Sequence, residues 1–416
     1  MAINYFRKPF FLAAIICAFI FYSPEFKKFL SSRFVCLLTE KDVTYIYGKI
    51  TSSLTKSSIG SYAADFTVYE ASSENGKKSD AKGSVKIYIP QKLAESYYPG
   101  KLYSTSKKEN NYYFDKGEIC CFSGKLKGQK FYVNECKKCF YSNNLYGKIN
   151  KLRSLCRLQF MRLMYSWKEG GGLLLALLCG VREYTEESTS NSFKRAGLSH
   201  ILALSGMHLG MFSSMALFIG NKIKRKRAAI IIRITAIFIF VWFAGFSPSL
   251  ERAFICTMLG IIFGIAGCEK PDMLMLLCFS FIFQSIISPQ HITNAAFILS
   301  YAALFGILLT GKFFYMLISK YLPGFISSPL SSSLGAQIST APVSLKLFGT
   351  FSPAGTVATI VVSPIITLFI YSGIILIILS LIFPFMQKPG GFFINILYNI
   401  IKYTVGFFSM APVFSI

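Results

Sequence analysis

Histidine, tryptophan and acidic residues are scarce in this chain of 416 residues. It has three histidines, two tryptophans and 19 acidic residues against 44 lysines and arginines, a net charge of +25. The Gly-x-x-x-x-Gly-Lys-Ser/Thr loop that cradles nucleoside triphosphates is absent, so any ATP-driven motor must be another chain. The Gly-x-Ser-x-Gly nucleophile elbow is absent too. We therefore expect no enzymatic activity, no cofactor and no metal.

Apolar residues dominate instead, at 53% of the chain, and the mean hydropathy is +0.49, which is rare in soluble proteins. From residue 171 onward they come in blocks of about 20 residues, the length that crosses a bilayer. Prolines such as Pro289, Pro342 and Pro364 interrupt these blocks. Broken helices at membrane depth are tolerated where they line a cavity or pack on protein. The fold class predicted for residues 171–416 is a mainly α polytopic membrane domain, a multi-span bundle with broken helices.

The first residues contain a shorter apolar run, Phe10 to Tyr22, which follows Arg7 and Lys8. No small-x-small cleavage site comes after it, so a cleaved signal peptide is disfavoured. We predict that residues 1–39 form a membrane anchor helix or hairpin with its N-terminus in the cytoplasm.

Residues 40–145 have a different character, because apolar and polar residues alternate in stretches such as GSVKIYIP (83–90). Several short strands separated by turn signals predict a small β-barrel or sandwich. Residues 146–170 mix leucines with lysines and arginines. This pattern predicts an amphipathic basic helix, of the kind that lies on a membrane surface or a partner, ended by the glycines at 170–172.

The β segment contains Cys120, Cys121, Cys136 and Cys139. A hairpin with a two-residue loop after Lys127 would place Cys121 opposite Cys136, where cross-strand thiols can form a disulfide. Free thiols are the alternative. The CxxC spacing at 136–139 suits zinc, but the other two cysteines are adjacent, which is poor geometry for a zinc knuckle. A disulfide would place this domain outside the cytoplasm.

The stretch SHILALSGMHLG (199–210) puts polar side chains into an apolar run. His200 and His208 would lie about 80° apart on a continuous helix, so they could bind a metal only with ligands from elsewhere. The simplest interpretation is a pair of buried, hydrogen-bonded histidines. Pore lining or substrate contact is the second interpretation, and catalysis has the least support because no acid lies nearby to orient a histidine.

Five stretches, in order, resemble the ComEC family of competence membrane proteins. They are GLLLALLCGVREYTEESTSNSFKRAG, SHILALSGMHLG, GFSPSLERAFIC, NAAFILSYAALFGILL and GAQISTAPVSLKLFGTFSPAGTVATIVVSPI. The positions in these motifs that we take as DNA-path or structural residues are His200, Ser205, Gly206, His208, Ser249, Arg252, Gln337 and Pro342. Residues 40–145 weakly resemble the family's extracytoplasmic OB-like domain.

The resemblance implies an integral component of DNA uptake that passes single-stranded DNA across the cytoplasmic membrane. The implied partners are single-stranded DNA, membrane lipid, and other uptake proteins that include a separate motor ATPase and a nuclease. A homo-oligomer is a further expectation. An arginine within a span, here Arg252, is a functional candidate, and an ion pair with Glu251 is the alternative. A generic permease or a membrane scaffold that retains the fold is the alternative function.

The sequence departs from the family pattern at two places. Val181 stands where the family often has aspartate, and Ile298 where it has glutamine. Many members also have a metallo-β-lactamase-like domain with an H-x-H-x-D-H motif. This motif does not occur here, so we expect no built-in nuclease.

Overall fold

The structure is a computed structural model that describes residues 9–23, 34–52, 54–56, 60–95, 114–182, 184–223, 225–245, 247–267 and 272–415. The chain divides into two compact units, one of residues 31–168 with 181–183 and one of residues 1–30, 169–180 and 184–416. Helix α1 (Pro9–Tyr22) opens the second unit. The stretch that would complete an N-terminal hairpin is 29–38. Residues 29–33 lie outside the described residues, and Val35–Cys36 form a short strand rather than a helix.

The first unit is rich in β-structure. Its strands are β1 (Val35–Cys36), β2 (Tyr45–Ile50), β3 (Thr55–Lys56), β4 (Ser61–Ser72), β5 (Lys78–Lys82), β6 (Ser84–Pro90), β7 (Ile119–Lys127) and β8 (Lys130–Phe140), and its helices are α2 (Gln91–Glu95) and α3 (Leu145–Tyr165). The ring order β2–β4–β6–β8–β7 closes because β7 also pairs with β2. Within this ring β6 and β8 are parallel and the other pairs are antiparallel. This small five-stranded barrel confirms the OB-like prediction.

Alternation along the strands builds the barrel interior. Ile46, Phe66, Ile87, Phe122 and Phe131 are all fully buried. Phe66 and Phe122 meet edge to face with ring centroids 5.4 Å apart. Since side chains alternate between the two faces of a strand, the residues between these core positions point outward.

Helix α3 begins at a cap, because the side chain of Asn144 accepts a hydrogen bond from the Gly147 amide. Its Arg157 is buried and lies 3.5 Å from the buried carboxylate of Asp115. By contrast, Leu152 and Leu155 are exposed. The predicted basic helix is therefore present, with part of its basic face turned inward, and its role at a membrane or partner surface stays a prediction.

The second unit is helical. After α1 it has α4 (Lys168–Cys179), α5 (Glu187–Arg195), α6 (Ser199–Leu202), α7 (Gly206–Lys222), α8 (Lys226–Ala244), α9 (Pro248–Ile265), α10 (Met273–Ile287), α11 (Ala295–Ile318), α12 (Gly324–Phe348), α13 (Gly355–Ile382) and α14 (Gln387–Ser409). A two-stranded ribbon pairs β9 (Thr350–Phe351) with β10 (Phe414–Ser415). In the described part of the chain, five segments are long and apolar enough to cross a membrane: α8, α9, α11, α13 and Pro384–Ser409. The protein is a multi-pass membrane protein.

Small residues bring α11 and α12 into close contact. Ser339 Oγ donates a hydrogen bond to the carbonyl oxygen of Ala302 at 2.7 Å. A Cβ added at Gly306 would lie 2.0 Å from Ser339 Oγ and 2.2 Å from the carbonyl oxygen of Gly335. Glycine at these positions lets the two backbones approach, as is common between membrane helices.

The glycine run at 170–172 does not end α3, as the sequence suggested. Helix α3 stops at Tyr165, and the glycines lie inside α4. A Cβ at Gly172 would lie 2.1 Å from the carbonyl oxygen of Tyr184, and one at Gly170 would lie 2.9 Å from Ile394. These glycines serve close packing rather than helix termination.

Candidate functional site

The SHILALSGMHLG stretch is broken rather than one continuous helix. Helix α6 ends at Leu202 and α7 begins at Gly206. The backbone amide of Ser205 donates to Nδ1 of His208 at 3.3 Å, and Ser205 Oγ lies 3.2 Å from the same nitrogen. His208 is fully buried in this capping box, whereas His200 lies before the break and is exposed. The angle calculated for a continuous helix therefore does not apply.

The break packs against the start of α9. Ser249 Oγ donates to the carbonyl oxygen of Leu204 at 2.6 Å. A Cβ at Gly206 would lie 3.3 Å from Cβ of Ala253 and 3.4 Å from a guanidinium nitrogen of Arg252. Two of the family-like motifs thus meet here.

Arg252 lies within the candidate span Pro248–Ile265. Its Nη1 donates to the carbonyl oxygen of Ser300 at 2.5 Å, and its guanidinium carbon lies 6.0 Å from the ring centroid of Tyr301. Its buried Nε has no hydrogen-bond partner in the part of the chain that the structure describes. Among the residues described, no carboxylate forms an ion pair with it, so the expected alternative of a pair with Glu251 is not observed. We call Leu204, Gly206, Ser249, Arg252 and Ser300 the motif junction.

Glu251 has different partners, and sequence reasoning missed this network. Its carboxylate accepts hydrogen bonds from Gln284 at 2.9 Å and Ser288 at 3.1 Å. Nδ1 of His291 lies 3.0 Å from the same carboxylate, and the hydroxyl of Tyr301 donates to Gln284 at 3.0 Å. The network fastens the start of α9 to α10 and α11. Gln284, the one amide side chain in the mostly apolar α10, was the available signal.

Gln337 and Pro342 lie elsewhere on the second unit. A Cβ at Gly355 would lie 3.1 Å from the side-chain nitrogen of Gln337 and 3.3 Å from Cα of Gly197. Gln337 therefore sits where the start of α13 meets the turn before α6. Pro342 lies inside α12 and is exposed.

The outer surface of the barrel has two stacked tyrosines. Tyr88 on β6 and Tyr132 on β8 face each other in the ladder, with ring centroids 5.3 Å apart and planes 18° from parallel. Two residues earlier on the same strands, Lys86 faces Lys130, and Lys125 of β7 is opposite Tyr132. We call these five residues the tyrosine–lysine strip.

The strip lies on the surface of the barrel and carries positive charge. Its three lysines are exposed, and 40% of Tyr132 is accessible. Asp65 is opposite Lys86 on the other side of β6. Like charges directly opposite each other destabilise a sheet, so an anion bound here would relieve the repulsion between Lys86 and Lys130.

A second group of aromatic rings, half-buried except for the exposed Tyr69, lies around Tyr47. Its ring centroid is 6.3 Å from that of Tyr69 and 6.5 Å from that of Phe140. The ammonium of Lys138 lies 5.3 Å from the Phe140 centroid, and that of Lys137 lies 4.0 Å from the Tyr45 centroid.

The β7–β8 ladder corrects the cysteine geometry. Cys121 is opposite Lys138, and Cys136 is opposite Phe122, because the register shifts between Cys121 and Phe122. Cys121 and Cys136 are free thiols in the structure. Cys139 instead faces Cys120 in the ladder, and the Glu118, Cys120 and Cys139 ligand atoms lie within 4.8 Å of one another.

A further polar network joins α5 to α14. Lys402 Nζ lies 2.7 Å from a carboxylate oxygen of Glu186, and the hydroxyls of Tyr398 and Thr189 join it. The hydrogen bond from Lys402 is the main cause that lowers the pKa of Glu186 to about 2.

Comparisons with known proteins place most of this helical unit in one family. The family model described as "Competence protein" matches residues 177–416. ComE operon protein 3 of Bacillus subtilis (strain 168) is 24% identical over 308 residues, 68% of this chain and 38% of that protein. An uncharacterized protein of Aquifex aeolicus (strain VF5) is 26% identical over 217 residues, 52% of this chain and 49% of that protein. The chain spans less than half the length of these curated relatives. No solved structure matches it.

Proposed function

The chain belongs to the competence protein family, and on that premise we propose that it carries single-stranded DNA across the cytoplasmic membrane during DNA uptake. In this proposal the OB-like barrel lies outside the cytoplasm and meets the DNA, and the helical unit provides the path. A separate motor ATPase drives the strand, a separate nuclease degrades its complement, and the chain works as an oligomer in the lipid bilayer.

The tyrosine–lysine strip is the observation that carries the proposal. Single strands bind without sequence preference where bases stack on aromatic rings beside a basic track for the phosphates. Tyr88 and Tyr132 offer such rings, and Lys86, Lys125 and Lys130 offer the charges. A permease for a small solute would have no use for this arrangement on its barrel.

The motif junction supports the second half of the proposal. Arg252 lies in a span without a carboxylate counter-charge in the described structure, and its Nε is unsatisfied. An intramembrane arginine is costly because its charge must leave water. Its presence in a span therefore favours a functional role. A phosphodiester passing the broken helix at 203–205 would provide the missing acceptor.

The test uses fluorescence anisotropy to measure how tightly the full chain in detergent binds a labelled oligothymidylate. The double variant Tyr88→Ala/Tyr132→Ala should bind at least about fivefold more weakly, because base stacking contributes about 1–3 kcal/mol per base. The matched control Tyr88→Phe/Tyr132→Phe keeps both rings and should bind like the wild type. Wild-type affinity in the alanine variant would contradict the assigned surface, and no binding by the wild type would favour the permease or scaffold.

A further inference from the structure

The base of the β7–β8 hairpin holds three cysteine thiols in one cluster. Cys139 Sγ lies 2.9 Å from Sγ of Cys120 and 3.0 Å from Sγ of Cys136. Cys120 is fully buried, whereas its neighbour Cys121 is half-buried. Adjacent residues point to opposite faces of a strand, so Cys120 lies in the cluster and Cys121 lies outside it. In the sequence, the adjacency of these two cysteines was the argument against a metal site.

Glu118 supplies a fourth group. Its side chain is fully buried, and among the described residues neither carboxylate oxygen has a hydrogen-bond partner of normal geometry. One of these oxygens lies within 4.8 Å of the Sγ atoms of Cys120 and Cys139, and Cys136 adjoins this set of three through its contact with Cys139. A buried carboxyl without a partner is costly, so the fold needs something to satisfy it.

A disulfide would not explain the whole cluster. It would join Cys139 to Cys120 or to Cys136 and leave the third thiol unused. It would also leave the Glu118 carboxylate buried with only a weak interaction with the Asp115 backbone. A metal ion uses all four groups at once.

We propose that Glu118, Cys120, Cys136 and Cys139 bind a structural zinc ion in the barrel. Thiolates and a carboxylate are ordinary zinc ligands, and structural zinc sites are closed tetrahedra of four protein ligands. Tetrahedral bonds of about 2.3 Å to sulfur require sulfur atoms about 3.8 Å apart. Cys139 reaches that spacing from Cys120 and from Cys136 if each pair of sulfur atoms moves apart by less than about 1 Å, and on binding the thiols release their protons to solvent.

Such a shell carries a net negative charge. Three thiolates and one carboxylate exceed the two positive charges of the ion. Lys137 and Lys138 lie between Cys136 and Cys139 on β8. The ion would tie the end of β8 to the segment that leads into β7, at the place where the ladder is irregular. This inference is independent of the proposed role in DNA uptake.

The first test measures the metal content of the full chain, purified in detergent through an affinity tag that does not bind metals. Mass spectrometry should find about one zinc ion per chain. Titration with an organomercurial, which attacks thiolates, should release that zinc in step with thiol modification. These measurements use the wild type and do not depend on whether a variant folds.

The variants then locate the site. Cys139→Ser and Glu118→Gln should each lose more than half of the bound zinc, while Cys121→Ser, its matched control on the same strand, should keep it. Chain produced with cobalt should show the thiolate-to-metal absorption of tetrahedral coordination. A metal-free wild type, with either three free thiols or a disulfide between Cys139 and Cys120 or Cys136, would overturn the proposal. So would zinc that persists at the wild-type level in Cys139→Ser.

Discussion

Ser249 Oγ donates a hydrogen bond to the carbonyl oxygen of Leu204, 2.6 Å away and 45 residues earlier in the chain. The break between α6 and α7 frees that carbonyl from a helical partner, and the serine replaces the partner that was lost. Since the bond is buried, water cannot substitute for it. The contact explains why a serine belongs at the start of α9.

Replacing Ser249 with alanine should destabilise the helical unit. The carbonyl of Leu204 would be left buried and unsatisfied, at a cost of about 1–3 kcal/mol. The measurement is the unfolding temperature of the full chain in detergent. Ser332→Ala is the matched control, because the Ser332 hydroxyl donates to the carbonyl oxygen of Ser328 within its own helix and is half-buried. An equal loss in both variants would contradict the special role of Ser249.

The contact between α11 and α12 should not tolerate a methyl group at Gly306. The added Cβ would overlap Ser339 Oγ and the carbonyl of Gly335, and overpacking of this kind costs about 1–3 kcal/mol. Gly260→Ala in α9 meets nothing within 4 Å and should be neutral or stabilising, because alanine favours the helix. The measurement is the unfolding temperature of each variant in detergent, compared with that of the wild type. A Gly306→Ala protein as stable as the Gly260→Ala protein would show that the helices separate easily.

Much of the architecture was predictable from short-range patterns. The alternation of Val85, Ile87 and Ile89 predicted a strand with one buried face, and all three are buried. The long apolar blocks predicted the membrane helices, and α8, α9 and α11 fall within them. In both cases the signal repeats every few residues, so the sequence alone contains it.

The remaining features depend on contacts between distant residues. A register shift next to Cys121 moved Cys136 away from it, and no composition signal marks such a shift. Arg157 turns inward because Asp115, far away in the sequence, is buried beside it. The partners of Glu251 lie 33 to 40 residues away on other elements. Periodicity cannot show which distant residues will meet.

The salt dependence of DNA binding should report the lysines of the strip. Each phosphate contact on a single strand contributes about −0.7 to the slope of log K against log salt concentration. Lys86→Gln/Lys130→Gln should therefore reduce the slope by about 1.4. The control Lys78→Gln/Lys82→Gln removes the same charge from β5, where both lysines are exposed, and should keep the wild-type slope. A reduction in both would indicate a general effect of net charge.

The ion pair between Glu186 and Lys402 should make stability depend on pH in acid. The folded-state pKa of Glu186 is about 2, below its ordinary value of 4.5. Its contribution is therefore complete above the ordinary value and is lost as the pH falls toward 2. The unfolding temperature of the wild type should exceed that of Glu186→Gln near neutral pH, and the difference should shrink below about pH 4.5.

The neighbouring residue Glu187, which is exposed, provides the control for this measurement. Glu187→Gln should follow the wild-type curve. A difference between wild type and Glu186→Gln that stays constant down to pH 2 would show that the pair contributes through packing rather than charge.

Uptake of labelled DNA into the cytoplasm of a strain that lacks this gene tests the central claim most directly. The strain is complemented at matched expression with wild type, Arg252→Ala or Arg233→Ala. Arg233 is the control because it lies in a different candidate span, α8, where its guanidinium donates to Ser213. We predict that wild type and Arg233→Ala restore uptake and that Arg252→Ala does not. Uptake that survives deletion of the gene, or that Arg252→Ala restores fully, would contradict the account.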